Sequence, residues 1–163
     1  MDALLYDVHG NLPALEAVLA DAAEAGATAY LLGGDYALFG GWPAETVERL
    51  KRLDNAAWIR GNGERWTNAP GEAPDNPVVQ GAIAAAREAL GDIAVLELAA
   101  LPASAQRETM LVCHGSPGSD VDSFAPEPSE HDAELLEDVN AARVVFGHTH
   151  LPFRRIEQAR MEV

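Results

Sequence analysis

Five times along this chain a short apolar run breaks off into a cluster of glycine, aspartate, asparagine or histidine. Ala3–Tyr6 leads into Asp7-Val8-His9, and Ala29–Leu32 leads into Gly34-Asp35. Ala56–Ile59 leads into Gly61-Asn62, Met110–Cys113 into His114-Gly115, and Arg143–Phe146 into Gly147-His148-Thr149-His150. Apolar runs of this length, closed by turn residues, read as buried strands. Helical patterns separate them. Pro13–Ala25 places Leu12, Leu15, Val18 and Leu19 on one face and is followed by Gly26. Ala44–Leu53 pairs Val47 with Leu50, and Val78–Leu90 runs up to Gly91. Such alternation predicts α/β layers. In α/β sheets ligands gather beyond the carboxyl ends of the strands. A parallel sheet would therefore bring all five polar clusters to one edge.

The remaining segments are less regular. Thr67–Pro77 carries three prolines and reads as a loop, as does Ser116–Pro128. The run Ile93–Leu101 fits a strand or a helix equally well. Ser129 is placed to cap a helix over Glu130–Val139, and Pro152–Ile156 is placed to begin a last strand. With 163 residues, 48% of them hydrophobic, residues 1–163 are expected to form a single domain. No apolar run approaches the roughly 20 residues of a membrane span. The N-terminus lacks the basic and long apolar regions of a signal peptide. Cys113, the single cysteine, has no partner for an internal disulfide. These features together lead to the expectation of a cytoplasmic protein.

The five clusters gather two aspartates, four histidines and an asparagine. Carboxylate and imidazole together suit manganese, iron, zinc, nickel or cobalt, whereas an all-oxygen site suits magnesium or calcium. Asp7 and His9 are two apart, which on an extended segment points both to one side. His148 and His150 share that spacing and can serve one metal each. Asp35 is the best carboxylate to bridge two ions. Singly, each motif is weak: a lone Gly-Asp or Gly-Asn is usually a turn. The conjunction, in order and at strand ends, is what carries the reading. His131 falls in the first turn of the expected helix and reads as a surface residue. Cys113 reads as a buried thiol, and Glu134, Glu137 and Asp138 as a solvated face. The net charge of −15 repels polyanions, which argues against nucleic-acid polymers and anionic membranes. A phosphate-bearing substrate would have to be small and drawn in by bound metal.

These blocks resemble the motif series of calcineurin-like metallophosphoesterases, over residues 4–153. Asp7-Val8-His9-Gly10-Asn11, followed by Leu12-Pro13-Ala14-Leu15, is most similar to the small bacterial and archaeal phosphodiesterases. The resemblance implies a four-layer α/β/β/α sandwich with two mixed sheets. It implies one metal held by Asp7, His9, Asp35 and His150, and a second held by Asp35, Asn62, His114 and His148. It places Asn11 near the substrate phosphate. The implied activity is hydrolysis of small phosphate esters, most of all diesters, by a hydroxide bridging two divalent ions, with manganese favoured and no protein nucleophile. The alternative is a protein-binding scaffold without turnover, which loss of ligand histidines would mark; none is lost. Two departures stand out. Many relatives carry a histidine after the Gly-Asn pair, where this chain has Gly63. Relatives also continue through an Asn-Pro-Gly-Ser turn into further strands, so C-terminal strands of the fold are expected to be missing here. The particular ester and the oligomeric state stay open at this level.

Overall fold

The structure, a computed structural model, describes residues 1–156. Its order is β1 (Asp2–Leu5), α1 (Leu12–Glu24), β2 (Ala29–Leu32), α2 (Pro43–Lys51), β3 (Ala56–Trp58), α3 (Asn62–Asn68), α4 (Pro77–Ala99), β4 (Ser104–Arg107), β5 (Met110–Cys113), α5 (Asp132–Leu135) and β6 (Arg143–Val145). Two three-stranded sheets result, ordered β1-β2-β3 and β4-β5-β6. In the first, all pairs are parallel, with Leu5 opposite Leu32 and Leu32 opposite Trp58. That follows from its connections, because α1 and α2 are the helical crossovers that parallel strands require. The second is mixed: β4 and β5 are antiparallel, while β5 and β6 are parallel. The polar clusters therefore meet from two facing sheets rather than along the edge of one.

The side-chain period of β2 shows how the layers stack. Leu32 joins Leu5, Leu15, Leu19, Val47, Leu50 and Leu98 in a core between the first sheet and its helices. Leu31, its neighbour, points the other way and packs with Ile59 and Val112 between the two sheets. The Tyr6 hydroxyl donates to the Val145 carbonyl at 3.0 Å and ties the sheets together near the site. On the far side, Leu135 and Val139 share a cavity with Gln106 and Leu111 of the second sheet. The expected α1 face is borne out at Leu15 and Leu19, but Val18 is exposed.

Several elements differ from expectation. The run 93–101 is helical as far as Ala99, and the chain leaves helical geometry at Gly91, with φ 74° and ψ 159°, before resuming. Only glycine reaches that conformation without strain. The Thr67–Pro77 loop begins two residues late, because α3 occupies residues 62–68. Strand β4 is an edge strand with two exposed residues and little apolar signal. The Glu130–Val139 helix shrinks to a single turn, Asp132–Leu135. Glu130, Glu134 and Asp138 repel one another at four-residue spacing, and Asp138 turns left-handed at φ 61°. Ser129 does not cap that turn; its hydroxyl donates to the Asp132 carboxylate at 3.0 Å. Residues 152–156 pair with no strand among the described residues. There Phe153 packs on Phe146, and Arg155 donates to Asp132 at 2.7 Å.

Candidate metal centre

The residues that follow β1, β2, β3, β5 and β6 converge, but not by the pleat of an extended segment. The backbone is left-handed at Asp7 (φ 53°), His9 (49°), Asp35 (57°), His148 (66°) and His150 (55°). For residues other than glycine this costs about 1–3 kcal/mol each and persists only where the surroundings impose it. Backbone hydrogen bonds impose it here. The His9 and Gly10 N–H groups donate to the Asp35 and Tyr36 carbonyls, each at 2.8 Å. The Gly147 N–H donates to the His114 carbonyl at 2.9 Å, and the His148 N–H donates to Asp7 Oδ2 at 2.9 Å. The same spacing of two that suggested an extended segment is thus met by a tight turn.

The side chains then face a common space. Asp7 Oδ1 is buried and has no hydrogen-bond partner. Around it lie His150 Nε2 at 3.6 Å, His114 Nε2 at 3.9 Å and His9 Nε2 at 4.0 Å. The two oxygens of Asp35 face different histidines, with Oδ2 3.8 Å from His9 and Oδ1 3.5 Å from His114. Ligand atoms of Asp7, His9 and His150 lie within 4.8 Å of one another, as do those of Asp7, Asp35 and His114. Asp7 therefore reaches both groups, where the resemblance gives it to one. Asn62 Oδ1 sits 3.0 Å from His114 Nε2. The His148 ring packs edge-on against His114, 5.2 Å between centroids, and belongs to neither tight group. Asn11 caps α1 by accepting from Ala14 N–H at 3.2 Å and lines a cavity beside Asp7 and His9.

Protonation follows from the partners. His9 Nδ1 lies 2.9 Å from the Leu38 carbonyl, and His114 Nδ1 lies 2.8 Å from the Gly33 carbonyl. A carbonyl can only accept, so in the neutral ring each Nδ1 carries the hydrogen and each Nε2 presents a lone pair to the site. The His114 lone pair then faces an amide oxygen at 3.0 Å, and His9 Nε2 faces His150 Nε2 at 3.3 Å. At His114 and Asn62 Oδ1 both facing atoms are acceptors, and these repel unless a cation lies between them. A separation on the order of 3 Å is what two donors about 2.1 Å from one ion, at right angles, would show. Burial lowers the pKa of His9 and of His148, which keeps both neutral and able to ligate. Burial raises that of Asp35, next to two further carboxylates. Two convergent carboxylates, the Nε2 lone pairs of His9 and His114, and an orphaned oxygen fit divalent metal ions.

Two residues that the sequence reading passed over hold this arrangement. Glu64 is buried, and its carboxylate accepts from Asp35 N–H (2.9 Å), Tyr36 N–H (2.8 Å) and Gly61 N–H (2.8 Å). Burial, and then the nearby Asp35, push its pKa up to about 6. The signal was present, because a glutamate three residues after Gly61 is half of a capping box at the start of α3. Tyr36 is fully buried; its hydroxyl accepts from Gly34 N–H and lies 2.6 and 2.7 Å from the Ile59 and Leu32 carbonyls, pinning the ends of β3 and β2. The Gly63 N–H donates to Asp35 Oδ1 at 2.7 Å, and a Cβ on Gly63 would lie 2.8 Å from that oxygen. A Cβ on Gly61 would collide with it. His131 is exposed and pairs with Glu134, and Cys113 is buried with its thiol pushed up to about 12, both away from any catalytic role.

The same arrangement of sheets and helices recurs in solved structures. A metallophosphoesterase from Sphaerobacter thermophilus is 28% identical, with a TM-score of 0.76 over 93% of this chain and 61% of that one. A hypothetical protein from Pyrococcus horikoshii OT3 is 21% identical, with a TM-score of 0.77 over 90% and 69%. A phosphoesterase from E. coli is 22% identical, with a TM-score of 0.51 over 96% and 74%. At these last two identities the likeness is one of fold. The chain thus spans about three-fifths of the length of the Sphaerobacter protein. No curated protein matches the sequence. No helix among the described residues is long and apolar enough to cross a membrane. The model of the calcineurin-like phosphoesterase family matches residues 7–152, nearly the whole of the described chain, and the protein belongs to that family.

Proposed function

We propose that this protein is a metal-dependent phosphoesterase acting on small phosphate esters, with diesters its foremost substrates. One observation carries the reading: Asp7 Oδ1 is buried without a hydrogen-bond partner, and ligand atoms of His9, Asp35, His114 and His150 converge beside it, with Asn62 Oδ1 next to His114. Asp7, His9, Asp35 and His150 would hold one divalent ion. Asp35, Asn62, His114 and His148 would hold a second, with manganese the favoured metal. When bound, such a pair supplies a nucleophilic water near neutral pH and offsets the charge of the phosphate.

The chain's own groups do the rest. The carbonyls of Leu38 and Gly33 hold His9 and His114 in the ligating tautomer. Asn11 uses its Oδ1 to cap α1, which leaves its Nδ2 amide as the donor for a phosphate oxygen. At Gly63 there is no side chain to protonate the leaving group, so esters with poor leaving groups should react slowest, by as much as about 10²–10⁴-fold. The net charge of −15 favours a small ester over a polyanion.

The test is hydrolysis of an activated phosphodiester and of the matching monoester by metal-stripped protein given Mn²⁺, with Asp35→Asn as control. Turnover that requires the metal, favours the diester and falls about 10³-fold or more in the variant is the expected result. Folded, metal-loaded protein that turns over neither ester would overturn the reading.

A further inference from the structure

Beside the ligand cluster lies a cavity of about 460 Å³. Asp7, His9, Asn11 and His150 line it together with two aromatic rings, Phe39 and Trp42. Neither ring is part of the core: Phe39 is 49% exposed and Trp42 is 45% exposed. Their positions are nevertheless set by the backbone. Phe39 is held left-handed at φ 76°, a conformation that a bulky residue adopts only under constraint. The constraint is the crossing of two loops. Trp42 N–H donates to the Gly10 carbonyl at 3.0 Å, Gly10 N–H donates to the Tyr36 carbonyl at 2.8 Å, and a Cβ on Gly40 would collide with the His9 carbonyl. The loop carrying both rings is thereby fastened to the loop carrying Asp7 and His9. The Phe39 ring leans on the His9 imidazole, 5.8 Å between centroids at 56°.

We propose that this cavity is a subsite for a flat aromatic ring on the organic side of the ester, a nucleobase, stacked on Phe39 and Trp42 while its phosphate lies at the ligand cluster. The inference rests on the phosphoesterase reading above and names the substrate class within it. Three observations carry it. Half-exposed aromatic rings beside a polar ligand cluster offer stacking that tolerates any base, because every base has a π-face. The cavity, about 460 Å³ and open to solvent, has room for one small organic ligand, since such sites span about 300–1,000 Å³. No lysine or arginine is among the described residues that line it. An uncharged ring therefore suits the cavity, and a second phosphate does not.

Binding of adenosine 5′-monophosphate, ribose 5-phosphate and phenyl phosphate to the Mn²⁺-loaded protein, by calorimetry, tests this. Wild type should bind the nucleotide about 5- to 150-fold more tightly than the ribose phosphate, the range expected for one stacked base. Phe39→Ala and Trp42→Ala should each shrink that ratio, and Phe39→Tyr, which keeps a ring, should preserve it. Circular dichroism of each variant establishes that it is folded. A gain for phenyl phosphate equal to that of the nucleotide would still place an aromatic ring in the subsite and would name an aryl ester as its source. Equal binding of the nucleotide and the ribose phosphate by wild type, or a ratio unchanged in both alanine variants, would overturn the proposal. Ribose 5-phosphate binding that does not depend on Mn²⁺ would count instead against the phosphoesterase reading, so the two failures are distinct.

Discussion

On one side of the ligand cluster, Asp35, Asn62 and His114 are almost wholly buried, at 2%, 3% and 1% exposure. On the other, His9 and Asp7 are half-buried and the His150 side chain is 57% exposed. The buried side is held by the protein's own bonds: Glu64 to three N–H groups, Gly63 N–H to Asp35, and the Gly33 carbonyl to His114. The open side has fewer such ties, and the aromatic cavity opens from it. One half of the candidate centre is held by the protein's own bonds, whereas the other is open to solvent. Preorganised groups cost no rearrangement at the moment of reaction, and accessible ones admit the reactants.

The largest expected effect comes from dismantling the buried side. Glu64→Ala leaves three buried N–H donors without their acceptor, at about 1–3 kcal/mol for each donor not rescued by water. Urea unfolding of metal-free protein should show a loss of at least about 3 kcal/mol, and metal affinity should fall roughly 10- to 100-fold. Unchanged stability would mean that the buried side is not held by Glu64. The pair His114→Ala and His150→Ala sharpens the contrast next. Both should weaken Mn²⁺ binding, but only His114→Ala should destabilise the metal-free fold, by about 1–3 kcal/mol. His150→Ala should stay within about 0.5 kcal/mol of wild type in the same melts. Equal destabilisation by the two would erase the distinction.

A smaller effect concerns pH. Burial holds His9 and His148 below the ordinary value of 6.5, so both are neutral at pH 7 and protonate only further into acid. The His9 and His148 rings, followed by NMR in metal-free protein, should therefore titrate below pH 6.5, and protons taken up there should oppose Mn²⁺ binding. A titration midpoint at or above 6.5 would contradict this. The smallest effect is expected at His131, exposed and paired only with Glu134. His131→Ala should change neither melting nor metal binding by more than about 0.5 kcal/mol; a clear loss of metal would place a ligand outside the cluster.

Legibility in the sequence followed the same divide. The strands Ala29–Leu32 and Met110–Cys113 were readable to the residue, because turn residues bound them sharply. Strand β4 was not, since Ser104–Arg107 is a half-exposed edge whose pattern reflects its partner rather than its own composition. Helix α3 was hidden because its first residues, Asn62-Gly63-Glu64, read as a metal loop. All seven candidate ligands could be named from residue type and position at strand ends, and the structure brings them to one region. Glu64 and Tyr36 could not be ranked beside them. Their work is to satisfy backbone donors and acceptors that become neighbours only after folding.

Residue chemistry and order, which are local, determined the layers, the strand ends and the identity of the donor atoms. Tertiary structure decided the rest. It set five candidate ligands in left-handed turns rather than extended segments, fixed which imidazole nitrogen faces the site, and let Asp7 reach both ligand groups. It also placed Phe39 and Trp42, half-exposed, at the rim of the candidate metal centre. The physical reason is common to all of these: each depends on a hydrogen bond or contact between loops distant in sequence. Such partners are chosen by the packing of two sheets, which no local pattern records.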